Sequence, residues 1–83
     1  MKYKIIIQKA AEKFLKKQPR KNQERLLIAI YKLPEGTDIK KLQGHNIYRM
    51  RVGNMRILYT VDEIIKIISV EEIDNRGDIY KRL

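Results

Sequence analysis

The sequence predicts an α+β fold: a helical hairpin packed on one face of a small, mostly antiparallel, twisted four-stranded sheet. The order is β-α-α-β-β-β, followed by a short C-terminal tail or helix. Three observations carry this. Apolar residues recur at helical spacing between Lys9 and Leu33, and from Asn46 onward they alternate with polar ones. No repeat, low-complexity tract or linker interrupts the 83 residues, so residues 1–83 are expected to form one domain. A helical pair and a set of alternating strands each have one apolar face, and the two faces cover one another.

Each element has its own signal. Lys2 to Ile7 reads as a first strand, rich in isoleucine and followed at once by polar residues. Lys9 to Lys17 reads as a short helix with Ala10, Ala11, Phe14 and Leu15 at its apolar positions. Pro19 punctuates, and a second helix runs from there to Leu33 with Leu26, Leu27, Ile30, Tyr31 and Leu33 at helical spacing. Pro34, Gly36 and Thr37 end the hairpin and open a polar loop.

Beyond the loop the period falls to two. In Asn46 to Val52, Tyr48, Met50 and Val52 take one face while Arg49 and Arg51 take the other. Gly53-Asn54 is a tight turn, after which Met55, Ile57, Tyr59 and Val61 alternate with Arg56, Leu58 and Thr60. Asp62-Glu63 is read as the next turn, and Ile64 to Val70 as an apolar strand inside the sheet. The segment after Asp74 is short, polar and terminal.

Composition narrows the function. With no cysteine, neither a disulfide framework nor a thiolate metal site can support the chain, and the cytoplasm is the expected compartment. The run Ile5-Ile6-Ile7 behind Lys2 and Lys4 is too short for a signal peptide or a membrane span. No Gly-rich phosphate loop, metal-ligand cluster or Ser-His-Asp pattern is present, so no metal or other cofactor is expected. Nineteen basic against ten acidic residues give a net charge of +9, which points to polyanionic partners: nucleic acid first, an acidic protein second. The charge is also unevenly placed. No acidic residue lies between Asp38 and Asp62, an interval that holds Lys40, Lys41, Arg49, Arg51 and Arg56.

Two motifs carry a family resemblance. Lys41-Leu42-Gln43-Gly44, followed by Tyr48-Arg49-Met50-Arg51-Val52-Gly53-Asn54-Met55-Arg56-Ile57-Leu58-Tyr59, is similar to the core of the RelE-like toxins in the RelE/ParE superfamily. Asn75-Arg76-Gly77-Asp78-Ile79-Tyr80-Lys81 resembles their closing segment. The resemblance implies the toxin of a type II toxin-antitoxin pair, a ribosome-dependent endoribonuclease. Such an enzyme cleaves messenger RNA by attack of a ribose 2′-hydroxyl on the adjacent phosphodiester and so stops translation. It implies Arg51, Arg56, Arg76 and Tyr80 as catalytic residues, with Arg56 on the scissile phosphate and Tyr80 stacked on a base. Arg49, Lys40, Lys41 and Lys81 would bind substrate. The implied partners are the ribosome and messenger, a cognate antitoxin with an acidic amphipathic segment, and operator DNA through the antitoxin complex. No membrane partner is expected.

The chain departs from the best-known members at two places. Arg51 stands where they have a lysine able to act as general base, and a guanidinium is a poor proton acceptor. Glu71, Glu72, Ile73 and Asp74 replace a stretch that there holds an arginine proposed as the general acid. His45, Glu71 and Glu72 are the available substitutes. Two rival functions remain open: inhibition of DNA gyrase by the same fold, as in ParE-like relatives, and binding of RNA without cleavage.

Overall fold

The computed structural model describes residues 2–42 and 46–75. Strand β1 (Lys4–Ile7) leads into helices α1 (Lys9–Lys17) and α2 (Arg20–Tyr31), then strands β2 (Ile39–Lys41), β3 (Tyr48–Val52), β4 (Met55–Asp62) and β5 (Ile67–Asn75). The sheet has five strands rather than four, in the order β1-β5-β4-β3-β2. The additional strand is β2, which falls in the expected polar loop. Three residues are too few to show a period, and only the pairing of Ile39, Lys40 and Lys41 with Met50, Arg49 and Tyr48 reveals it.

Three of the four pairings are antiparallel, while β1 runs parallel to β5 with Ile5 opposite Ile68 and Ile7 opposite Val70. Parallel neighbours need a crossover on one face of the sheet, and the helical hairpin lies within that connection. Ala11 and Leu15 of α1 and Leu26 and Ile30 of α2 meet Met50, Met55, Ile57, Tyr59, Ile68, Val70 and Ile73 in one buried cluster. Between the helices, the Gln23 amide donates to the Gln18 carbonyl at 2.9 Å and the Asn22 amide to the Gln18 side-chain oxygen at 3.1 Å.

The last strand differs from its expected span at both ends. Ile64 and Ile65 lie in the β4–β5 turn and are 92% and 61% exposed. Their N–H groups donate to the Asp62 carboxylate at 3.0 and 3.2 Å, a local bond that outcompetes the strand tendency of two isoleucines. At the other end β5 continues to Asn75, past a register shift. Leu58 faces Glu72 but Tyr59 faces Val70, which leaves Glu71 as an extra residue. The inward residues of β5 are therefore Ile68, Val70 and Ile73, spaced two and then three apart.

Gly53 has φ +61 in the β3–β4 turn, and a Cβ placed there would lie 3.1 Å from the Arg25 guanidinium of α2. Gly53→Ala is expected to cost about 1 kcal/mol or more, because alanine is strained at positive φ even if the arginine yields. Urea unfolding monitored by far-ultraviolet circular dichroism measures this as a lower midpoint with an unchanged slope.

Candidate anion-binding site

The side of the sheet away from the helices holds the charge. Side chains of directly opposed residues share a face, so the register decides which of them meet. Arg51 is opposite Arg56, Arg49 is opposite Leu58 and Lys40 is opposite Arg49. On β5, Asp74 is opposite Arg56 and Glu72 opposite Leu58. Three arginines from β3 and β4 are thereby brought onto one face, with Lys40 of β2 at its margin.

Arg49 and Arg56 are only 5% and 3% exposed although they stand on the face away from the helices, and Arg51 is half-buried. The Nε atoms of Arg49 and Arg51 are buried and have no hydrogen-bond partner among the described residues. Like charges directly opposed in a sheet repel, by about 3 kcal/mol for charges about 6 Å apart at an effective dielectric near 20. That repulsion calls for countercharge from a carboxylate or another anion on the same face. Guanidinium is suited to pairing with one: it is weakly hydrated, always charged, and its planar fork matches two oxygens of a phosphate or carboxylate.

Acidic residues on the same face supply countercharge. Asp38, immediately before β2, sets Oδ1 3.7 Å from Arg49 Nη2 and Oδ2 3.9 Å from Arg51 Nη1. Asp74 is buried at the register position of Arg56, and its carboxylate accepts the N–H of Asn75 at 2.8 Å. Asp38 figures in the sequence only as the boundary of the acid-free interval. Its even spacing from Lys40 would have placed it on the arginine face had β2 been recognisable.

Lys41, a candidate substrate-binding residue, is not with the arginines. It is opposite Tyr48, its Nζ lies 5.9 Å from the centre of the Tyr48 ring, and both belong to the other side of the sheet. There, with Tyr3, Tyr59, Asp62 and Glu63, it lines an open cleft of about 670 Å³ that carries both signs of charge. Gln43, Gly44, His45, Arg76, Tyr80 and Lys81 lie outside the described residues. Among those that are described, no group of three or more histidine, cysteine or carboxylate side chains is placed to hold a metal ion.

Tyr48 and Tyr59 stack with ring centres 5.5 Å apart and planes 16° from parallel. Burial, and then the neighbouring Tyr48, push the Tyr59 phenol up to about 12 from 10.0. The folded protein therefore keeps that proton after the unfolded chain has lost it. The associated stability is fully present below pH 10 and is lost as the pH rises toward 12. Two pH units correspond to about 2–3 kcal/mol. Tyr59→Phe should remove that part of the alkaline destabilisation, which chemical denaturation at pH 9 and pH 11 would read as a smaller difference than in wild type.

The molecule is thus a small domain in which a helical hairpin backs a sheet whose other side gathers arginines. Comparison with known proteins makes the class specific. The chain is 34% identical to the toxin-family protein RelE1 of Methanocaldococcus jannaschii over 88 aligned positions, covering 98% of each chain. Among solved structures it resembles the RelE–RelB complex of Pyrococcus horikoshii, with 31% identity and a TM-score of 0.77 over 93% of this chain and 98% of that one. The RelB–RelE antitoxin–toxin complex of Methanococcus jannaschii gives 32% identity and a TM-score of 0.77, over 94% and 98% of the two chains. No family model matches. The chain belongs to the RelE family of toxins from toxin–antitoxin pairs. No described helix is long and apolar enough to cross a membrane.

Proposed function

We propose that this toxin is a ribosome-dependent endoribonuclease that cleaves messenger RNA through attack of a 2′-oxygen on the adjacent phosphodiester. The observation that supports it most is the register that puts Arg49, Arg51 and Arg56 on one face of the sheet, the first and last deeply buried. In-line attack develops negative charge on the phosphorane oxygens. Fixed guanidinium groups in a dehydrated setting stabilise that charge without having to reorganise. Arg56 would hold the scissile phosphate, flanked by Arg51, with Arg49 and Lys40 on the neighbouring nucleotide. By family resemblance, Arg76 would add charge from the C-terminal segment, Tyr80 would stack on a base, and Lys81 would steer the strand.

A guanidinium is a poor general base, so Arg51 would orient and stabilise the phosphate rather than remove the 2′-proton. Of the groups able to accept that proton, Glu72 shares the face of the arginines by its register opposite Leu58, and His45 belongs to the segment before β3. The partner would be a cognate antitoxin whose acidic, amphipathic segment covers the arginine face; the net charge of +9 and the RelB complexes of the relatives support this. The antitoxin complex would contact operator DNA. The cytoplasm, where ribosomes and messenger meet, is the compartment this function requires.

Incubating a defined messenger with the toxin, with and without ribosomes, tests the reading. Cleavage within the ribosome-bound codon that depends on ribosomes and falls in Arg56→Ala and Tyr80→Ala is the expected result. An intact messenger together with DNA breaks that depend on gyrase would replace it with the ParE-like alternative.

A further inference from the structure

We infer that Asp38 is an internal anion that occupies the arginine site when no substrate is present and must be displaced before a phosphodiester can enter. The inference rests on reading Arg49 and Arg51 as phosphate-binding groups and assigns that site a regulator within the same chain.

The carboxylate gives one oxygen to each of two guanidinium groups, Oδ1 to Arg49 and Oδ2 to Arg51. Its single charge and paired oxygens match those of a phosphodiester, so the two anions compete for the same forks. The backbone sets it there. The N–H of Arg51 donates to the Asp38 carbonyl at 3.2 Å, which fixes Asp38 beside Arg51 at the end of β2. Asp38 also has φ +56, a conformation that aspartate, asparagine and glycine tolerate best.

The hold is loose. Contacts of 3.7 and 3.9 Å are ion pairs without the 2.7–2.9 Å approach of a charge-assisted hydrogen bond. The Asp38 side chain is 49% exposed while that of Arg49 is 6% exposed, so the carboxylate has solvent to turn into and the guanidinium stays. The buried Nε donors of Arg49 and Arg51 are not met by Asp38 or by any other described residue. An entering phosphodiester could use them as well, which gives it an advantage over the resident carboxylate. The consequence is a threshold: free anions meet a partly neutralised site, and only a strand also held elsewhere displaces Asp38.

Asp38→Asn and Asp38→Gly both accept positive φ, so the backbone is preserved in two independent ways. The Nε–H resonances of Arg49 and Arg51 would be followed by nuclear magnetic resonance while a fully 2′-O-methylated RNA trinucleotide, which cannot be cleaved, is titrated in. This local signal is insensitive to RNA bound by distant lysines. Both variants are expected to reach the midpoint at about tenfold lower trinucleotide than wild type. Adding Arg49→Ala should abolish the gain. If both variants bind no more tightly than wild type while Arg49→Ala alone weakens binding, the internal competitor is ruled out and the phosphate site stands. If neither arginine responds to the trinucleotide in any of the proteins, the phosphate reading fails and this inference with it.

Discussion

Arg56→Ala is expected to lower single-turnover cleavage of ribosome-bound messenger by about 10²- to 10³-fold, the usual cost of removing one fixed donor from a site that stabilises developing charge. Arg56 is chosen over its neighbours because it is 3% exposed and lies between Arg51 and Asp74 in the register of three adjacent strands. A group so buried has little freedom to follow the substrate by moving. Arg56→Lys separates charge from shape. Lysine keeps the charge but lacks the planar fork, so it should recover only part of the loss. Thermal unfolding of each variant distinguishes a chemical defect from a folding one, since Asp74 is buried at the paired position. Cleavage by Arg56→Ala within about threefold of wild type, in a folded protein, would remove Arg56 from the chemistry.

The second large effect lies one residue further along the same strand. Ile57 is fully buried on the helix side of β4, so its truncation opens a cavity behind the arginine face. Ile57→Ala should cost about 2–5 kcal/mol, the range seen when buried aliphatic side chains are cut back to alanine. A small domain holds only about 5–15 kcal/mol in all, and in one of this size each kcal/mol moves the midpoint by about 4–8 °C. A fall of roughly 10 °C or more in a thermal melt is therefore expected. The same scan on Ile57→Val should show a fall several times smaller. Equal falls would mean that the core relaxes around the site and that the helices do not brace the strand carrying Arg56.

The parts of this architecture that repeat over many residues were legible in the sequence. The helical period of α1 and α2 and the strict alternation in β3 and β4 are long enough to identify both elements and faces. Tyr48, Met50 and Val52 accordingly turn toward the helices and Arg49 and Arg51 away from them. What escaped depends on pairing between distant segments. β2 is three residues long and exists through its bonds to β3, and the parallel place of β1 beside β5 results from the crossover rather than from any local pattern. Ile64 and Ile65 show that apolar character alone does not make a strand when an aspartate two and three residues earlier can bind their N–H groups.

The candidate site divides along the same line. The meeting of Arg49, Arg51 and Arg56 could be anticipated from alternation and a two-residue turn, but the counterion could not, because Asp38 reaches the arginines only through β2. Lys41 opens the family-like Lys41-Leu42-Gln43-Gly44 run, but the strand's own alternation sends it to the side opposite the arginines.

The surplus residue at Glu71 has a further consequence. It reverses the parity of everything downstream, so that Ile73 continues the greasy lining while Glu72 and Asp74 emerge among the cations. Flattening the bulge, so that Glu71 took a regular place in the ladder, would exchange the two sets, pushing carboxylates inward and an isoleucine outward. The acidity of the arginine face thus depends on where the strand accommodates its extra residue as much as on which residues it contains.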